Sequence, residues 1–448
     1  MHHYDATTDA MASMVLDYVR WRLSEDPVAL DGSATAAELD ELAPCLIGEE
    51  PNDPAVVLEQ FTEVLAPRVI SCDSPSFLSF IPAAPTKASL LFDAVVSASS
   101  LNGTSWLEAA GAVHAENQVL RVLADAAGLP EGSGGCFVSG GSAGNLSALV
   151  VARDVARHRG AAGRLRVLAS DQAHSSIAST AHVIDVDVVG VPTVDDRLTG
   201  PAVEDAIRSD LDPTSIMAVV ATAGTTNAGI VDDLAGVGAA ARREGIWFHV
   251  DGAYGAAALF APSARRRFAG IELADSLIVD PHKWLFAPFD CAALLYRTPR
   301  LAKAVHTQDA SYLDAIHDDD EEWNPTDYAY HLTRRARRLA IWFSMAVHGL
   351  GAYRSAIESA LDLARQAAEL VESMDHVELV RHPELSVVMF RRIGWGEQEY
   401  RRWSEELLAD QVAFVLPSKW RGEPIARFAF LHPDTSVELV REILERLR

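Results

Sequence analysis

The sequence is poor in cysteine. Its 448 residues hold four, Cys45, Cys72, Cys136 and Cys291, and none stand in C-x-x-C spacing. That argues against a disulfide framework or a structural zinc site, and fits a reducing compartment. No metal is expected. Positive charge is also scarce: 38 Lys and Arg stand against 63 Asp and Glu, a net charge of −25. So acidic a chain is a poor match for nucleic acid or an anionic membrane. Its two basic clusters, Arg265-Arg266-Arg267 and Arg334-Arg335-Ala336-Arg337-Arg338, read as solvated or ion-paired helix faces. No apolar run reaches the roughly 18 residues of a spanning helix. The start has no basic stretch followed by an apolar core, so no secretory signal is expected. No internal repeat is visible. A cytoplasmic protein is the expectation, with a 49% hydrophobic composition that can fill a large core and a length that suggests two to three domains.

What is present falls into three parts. Residues 1–75 are helical and acidic. Met11 to Trp21 and Glu59 to Leu65 carry apolar residues at helical spacing, the latter stopping at Pro67. This arm is too small for its own core, so it is expected to pack on another subunit or on the main domain. Residues 76–335 begin with an apolar loop, Ser76-Phe77-Leu78-Ser79-Phe80-Ile81-Pro82. Helices follow from about Lys87 to Ser99 and from Trp106 to Ala127. Then strands and helices alternate, with apolar runs at Cys136–Val138, Leu165–Ala169, Val186–Val191, Ile216–Ala221, Ile246–Val250, Ser276–Val279 and Cys291–Tyr296. Continuous apolar strands alternating with helices indicate a mainly parallel sheet covered on both faces. The acidic connector around Asp318-Asp319-Asp320-Glu321-Glu322 reads as an exposed, mobile loop. Residues 336–448 read as a small α+β domain. A helix is expected over Leu332–His348 leading into it, and another over Ser355–Met374. Strands are expected near Val377–Val380, Ser386–Phe390, Val412–Val415 and Ala426–Phe430, with helices near Glu397–Ala409 and Val437–Leu447.

Five strand ends carry chemistry-bearing residues. Ser139-Gly140-Gly141-Ser142-Ala143-Gly144-Asn145 turns from strand to helix, where small residues let backbone N–H groups reach an anion. It lacks the Gly-Lys-Ser/Thr of a Walker loop and is not G-x-G-x-x-G. Glycine also serves such turns for steric reasons alone. Asp171-Gln172-Ala173-His174-Ser175-Ser176 puts a histidine where parallel sheets place ligands. It could stack on a planar cofactor, or merely cap a helix. Thr222-Ala223-Gly224-Thr225-Thr226 supplies hydroxyls, then Asp232 and Asp233, one of which could simply cap the next helix. His249-Val250-Asp251-Gly252-Ala253-Tyr254 ends a strand on a carboxylate. Thirty-two residues after Asp251, Asp280-Pro281-His282-Lys283-Trp284 ends another on a lysine. A strand-end lysine can form a Schiff base with an aldehyde cofactor, and a strand-end aspartate can pair with a pyridinium nitrogen. Each motif alone has an ordinary structural reading. The ordered set is much harder to explain that way.

These motifs resemble the group II pyridoxal-phosphate (PLP) amino acid decarboxylases, and within them the aromatic-amino-acid branch. The likeness runs from Phe77–Pro82 through the His174, Asp251 and Lys283 motifs to Arg427-Phe428-Ala429. It implies the fold type I PLP-dependent transferase architecture: an α/β domain with a mainly parallel central sheet, a small C-terminal α+β domain and an N-terminal helical arm. It implies a homodimer with active sites at the interface. It implies a PLP carboxy-lyase that converts an aromatic or otherwise apolar L-amino acid to its amine and CO2. The alternatives are oxidative decarboxylation-deamination to an aldehyde, another PLP lyase or aminotransferase activity, and a cofactor-free homologue. Carried over by motif, Lys283 holds the cofactor, Asp251 pairs with its ring nitrogen, His174 stacks on one ring face and Ala253 packs on the other. Ser142, Ala143 and Gly144 cradle the phosphate near His282, and Thr226 and Asp232 lie close to the ring. Tyr312, in Ser311-Tyr312-Leu313, matches a catalytic loop tyrosine. Phe80 and Ile81, with Leu101, form an apolar front for substrate. Three positions depart from the pattern. Position 280 is aspartate where many relatives have asparagine near the phosphate, so it is expected to point away or to pair with a cation. Position 83 is alanine where threonine is common, and Asn102-Gly103-Thr104 is smaller and more polar than the usual pocket.

Overall fold

The apolar runs pair side by side in a computed structural model that describes residues 2–311, 313, 322–336 and 338–448. Seven strands form the central sheet: β1 (Gly134–Val138), β2 (Arg166–Ala169), β3 (Asp187–Gly190), β4 (Ile216–Thr222), β5 (Trp247–Asp251), β6 (Ser276–Val279) and β7 (Ala292–Tyr296). Their order is β1-β7-β6-β5-β4-β2-β3. Strands β3, β2, β4, β5 and β6 are parallel, and β7 runs antiparallel to both β6 and β1. The sheet is therefore mainly parallel, as expected, with mixed pairing at one edge. Every residue of β1, β4, β5, β6 and β7 is buried. Burial on both faces is why these segments read as unbroken apolar runs rather than alternating ones.

Helices α1 (Ala6–Ser24), α2 (Ala36–Leu42) and α3 (Pro54–Glu59) form the N-terminal arm and bury none of their residues. Arg22 ties the arm down through Asp73, at 2.9 Å. Next come α4 (Lys87–Ala98), α5 (Trp106–Ala127), α6 (Gly141–His158), α7 (Ser176–Val183), α8 (Gly200–Ser209), α9 (Leu234–Glu244) and α10 (Pro299–His306). Neighbouring strand residues point to opposite layers. Phe137, Val219 and Phe248 pack with Val119 of α5, Val203 of α8 and Val237 of α9. Val138, Val220 and Ile278 pack with Leu149 of α6 and Ile177 of α7. Helix α11 (Leu339–Glu372) leads to a second sheet of β8 (Val377–Arg381), β9 (Val387–Arg392), β10 (Pro417–Trp420) and β11 (Glu423–Ala429), ordered β10-β11-β9-β8 and antiparallel throughout. Helices α12 (Glu397–Ala409) and α13 (Val437–Glu445) complete this end. Among the described residues, no helix is long and apolar enough to cross a membrane.

Three expectations need correcting. The helix expected from Leu332 starts at Leu339. The preceding backbone pairs with the 101–103 segment instead: Gly103 N donates to Arg334 O at 2.8 Å, and Ala336 N to Leu101 O at 3.3 Å. The expected break after His348 is present as Gly349, whose φ of 71° only glycine takes readily. Val412–Val415 does not join the small sheet. Phe414 pairs with the front loop, accepting from Leu78 N at 3.0 Å and donating to Ser76 O at 2.9 Å. The missing strand is β10, joined to β11 by a two-residue hairpin in which Arg421 and Gly422 both have positive φ. Of the two readings of the Arg334–Arg338 cluster, ion pairing holds for Arg334 and Arg335, but these residues precede the helix and are not one of its faces. Arg334 and Arg338 are buried, Arg334 in a bidentate pair with Glu116 and Arg338 3.9 Å from Asp290. The acidic connector is outside the described residues, apart from Glu322.

Candidate active site

The carboxyl ends of β1, β4, β5 and β6 open into one cavity of about 350 Å³. At its floor β1 gives way to α6. Gly140 is the N-cap, with no side chain to offer, so the helix presents bare backbone N–H groups and the positive end of its dipole. A Cβ on Gly141 would fall 3.0 Å from Asp280 Oδ2 and 3.2 Å from the Ala253 Cβ. Glycine there keeps the floor open.

Asp251 ends β5 and is 6% exposed. Its Oδ1 accepts from Ala253 N at 3.1 Å, and its Oδ2 accepts from Asn145 Nδ2 at 3.0 Å. Asn145 also donates to Ser176 Oγ at 2.9 Å, and its Oδ1 meets His249 Nε2 at 2.9 Å. Behind His249, Ser276 Oγ lies 2.8 Å from Nδ1 and accepts from Trp247 Nε1 at 2.8 Å. One assignment of donors satisfies every link: Trp247 to Ser276, Ser276 to His249, His249 to Asn145, Asn145 to Asp251. Burial drives His249 down to about 4, against the pull of Asp251, so the relay passes through a neutral imidazole. From the same hub Ser176 Oγ meets His174 Nδ1 at 2.9 Å, and Ser176 N donates to that nitrogen at 3.2 Å. Nδ1 of His174 is therefore the acceptor, and a neutral ring carries its proton on Nε2.

Lys283 follows β6. Its Nζ lies 2.9 Å from Asp280 Oδ2. Burial opposes the ammonium charge, but the charge and hydrogen bond of Asp280, with Asp251 beyond, hold the amine above its ordinary range. So the aspartate at 280 pairs with a cation, one of the two outcomes expected of it. His282 Nε2 is 3.6 Å from the same oxygen, and His282 Nδ1 accepts from Cys291 N at 3.0 Å.

Of the residues expected at the site, Lys283, Asp251, His174, Ala253, Ser142, Thr226 and His282 all line this cavity. Ala143 faces an adjoining groove with Leu146 and Tyr330. Gly144 packs against β6, where a Cβ would meet Ile278 Cδ1 at 2.2 Å. At this turn Ser139, Gly140, Gly141 and Ser142 line the cavity. Asp232 does not line the cavity. Its carboxylate accepts from Thr222 N at 2.7 Å and Leu198 N at 2.8 Å, and burial pushes it up to about 7. It fixes the end of β4. Phe80 is 59% exposed and touches Phe77 and Phe414, while Ile81 packs on the core; neither lines the cavity within one chain. Tyr312 is outside the described residues. The sequence reading missed Asn145, His249, Ser176, Tyr254 and Phe289. Spacing could have flagged two of them: Asn145 is one helical turn after Gly141, and His249 shares a strand face with Asp251.

A profile of the pyridoxal-dependent decarboxylase conserved domain matches residues 37–393. The aromatic-L-amino-acid decarboxylase of Bacillus atrophaeus is 28% identical, covering 97% of this chain and 92% of that protein. The 4-hydroxyphenylacetaldehyde synthase of Rhodiola rosea is 30% identical, covering 75% of this chain and 71% of that protein. A crystal structure of Oryza sativa TDC with PLP and tryptamine superposes with a TM-score of 0.92 at 24% identity, covering 100% of this chain and 98% of that one. The cavity fits pyridoxal 5′-phosphate: one amine, the buried Asp251 carboxylate and one glycine-lined helix N-terminus open into the same space, with the second buried carboxylate, Asp280, paired to the amine. The chain belongs to the pyridoxal-dependent decarboxylase family, and it is a carboxy-lyase that uses pyridoxal 5′-phosphate to release CO2 from an amino acid.

Proposed function

We propose that Lys283 holds the cofactor's aldehyde carbon, that Asp251 holds a proton on its ring nitrogen, and that the substrate is an aromatic or otherwise apolar L-amino acid. The observation that carries the site assignment is the Lys283 amine and the relay-held Asp251 carboxylate lining one cavity. Bound there, pyridoxal phosphate supplies the electron sink for the Cα–carboxylate bond. The chain's own residues do the rest. Gly140, Gly141 and Ser142 offer N–H groups to the phosphate. His174 flanks the ring with Nε2–H available, and Ala253 takes the other face. Asn145 and His249 keep Asp251 aimed. Tyr312, assigned through the family likeness, returns a proton to Cα after CO2 leaves, and its phenol, with a pKa near 10, is protonated at rest.

Support for an aromatic substrate comes from the named activity of the Bacillus atrophaeus relative and from Phe289 and Tyr254 on the cavity wall. The nearby arginines do not argue for an acidic substrate, because Arg334 faces Glu116, Arg335 faces Asp93 at 3.3 Å and Arg338 faces Asp290. The Rhodiola rosea relative supports a second reading, an aldehyde product. Tyr312 weighs for the amine, since a proton donor at Cα keeps oxygen from reacting there. We place the protein in the cytoplasm as a homodimer. The arm leaves Met11, Val15, Leu16, Trp21 and Phe61 at least 40% exposed, an apolar face that suits a second copy. A single-chain mass in sedimentation equilibrium would refute the dimer.

The test is a panel of L-amino acids assayed for CO2, amine and aldehyde, with borohydride reduction and peptide mapping of the yellow protein. We expect label on Lys283 and amine from an aromatic substrate. Label on another lysine sinks the site assignment. Preference for glutamate, aspartate or a diamino acid sinks the substrate class.

A further inference from the structure

The helix N-terminus that suits the cofactor's phosphate already faces an anion. Gly141 N donates to Asp280 Oδ2 at 3.2 Å, and that oxygen is also the partner of Lys283. Asp280 is 2% exposed, and its Oδ1 is buried with no hydrogen-bond partner. Both oxygens face the cradle, since a Cβ on Gly141 would sit 3.0 Å from Oδ2 and 3.3 Å from Oδ1. Two carboxylates, Asp280 and Asp251, thus share one ammonium. A phosphate adds about −1.5 to −2 charges at neutral pH. Loading also takes the ammonium away: Lys283 Nζ bonds the aldehyde carbon, two of its three protons leave with the aldehyde oxygen as water, and the third stays on the nitrogen, now tied to the cofactor instead of to Asp280. Asp280 would be left beside the phosphate without its cation. Buried like charges at such range do not both persist; one takes up a proton.

The groups around Asp280 narrow where that proton goes. His282 cannot take it cheaply. Its free ring nitrogen, Nδ1, accepts the Cys291 N–H, so protonation there breaks a buried hydrogen bond. Burial already holds this histidine below its ordinary range. Asp251 on β5 is held by two donors. Asp290, beyond His282, faces Arg338 of the segment leading into α11. Helix α6 contributes the backbone N–H of Gly141. That leaves Oδ1 of Asp280 and the phosphate oxygen it faces, which hold the proton between them. We propose that Asp280 takes up a proton when the cofactor binds and donates it to the phosphate, so that cofactor capture by this protein is proton-coupled. Asp280 then does, in its acid form only, what an amide does at every pH. Because loading raises the proton affinity of Asp280, cofactor binding is strongest at low pH and weakens as pH rises through the bound-state pKa.

The proposal rests on Lys283 as the cofactor lysine. Cofactor-stripped full-length protein and Asp280→Asn are titrated with pyridoxal phosphate by tryptophan quenching between about pH 6.5 and about pH 8.5. We expect Asp280→Asn to bind at least about tenfold more tightly at the upper pH, with the gap closing toward the lower. Calorimetry in two buffers of different ionisation enthalpy counts protons on the wild type alone, which guards against a misfolded variant. We expect clear net uptake at the upper pH, larger than in Asp280→Asn wherever the variant folds. Equal affinities, a ratio that ignores pH, or no wild-type uptake overturns the proposal. If instead the Lys283 assignment is wrong, the Lys283→Ala protein still develops the cofactor's visible absorbance on borohydride-sensitive binding, an outcome independent of Asp280.

Discussion

Asp251→Asn changes one atom, and the surrounding geometry says what that atom does. Asp251 accepts twice, from Ala253 N and from Asn145 Nδ2. An asparagine at 251 can accept with only one terminal atom. Its NH2 must then face another donor, either Ala253 N–H or the Asn145 NH2. Turning the Asn145 amide over relieves that clash but sets its NH2 against the His249 Nε2–H. Some buried donor is lost in every arrangement, at about 1–3 kcal/mol. The thermal midpoint of the cofactor-free protein, taken at one scan rate, should fall by roughly 1–3 °C. Separately, the ring nitrogen loses its charge partner, and electrostatic losses of this kind cost about 10²–10³-fold in kcat. The two effects can be pulled apart. In Asn145→Asp/Asp251→Asn the donor and acceptor are exchanged across the same 3.0 Å contact. The carboxylate at 145 can still accept from His249 Nε2–H, and Ser176 can turn its hydroxyl toward it. The double variant should recover most of the lost thermal stability and stay at least about 100-fold down in kcat, because the carboxylate has left position 251. Recovery of activity to near wild type would show that charge anywhere in the hub suffices. No recovery of stability would refute the donor assignment along the relay.

Tyr312→Phe should bind cofactor and substrate and still release CO2, but yield aldehyde, ammonia and peroxide in place of amine, consuming one O2 and one water per turnover; undiminished amine would return Tyr312 to an ordinary loop residue. Burial holds both His249 and His331 at about 4, below the ordinary 6.5. A depressed folded-state pKa gives stability that is complete above the unfolded value and lost as pH falls, so the thermal midpoint should drop between about pH 6.5 and about pH 4. A flat profile across that window would mean that neither ring is buried neutral in solution.

Which parts of this architecture could be read from the sequence follows from how each part is held together. Strands β1, β4, β5, β6 and β7 were legible because both their faces are covered, which favours unbroken apolar runs. The strand-end residues were legible because a parallel sheet puts all its carboxyl ends on one side. What spacing did not show was register within a helix. Ser142, Ala143 and Gly144 read alike in the sequence, but α6 begins at Gly141 and each residue turns about 100° from the last. Gly141, Ser142 and Asn145 therefore look into the cavity, Ala143 looks into the neighbouring groove, and Gly144 meets β6. The same turn that sets Gly144 against Ile278 brings Asn145 to Asp251. Tertiary pairing was the other blind spot. Residues 332–338 have a helical pattern, yet the backbone of Arg334 and Ala336 is taken by the 101–103 segment, and Arg334, Arg335 and Arg338 face Glu116, Asp93 and Asp290. Nothing in local spacing announces a partner more than two hundred residues away. Asp280 shows the reverse case: one unexpected residue type pointed to a charge problem, and the geometry then supplied its terms, a carboxylate at a helix N-terminus with a lysine on one oxygen and nothing on the other.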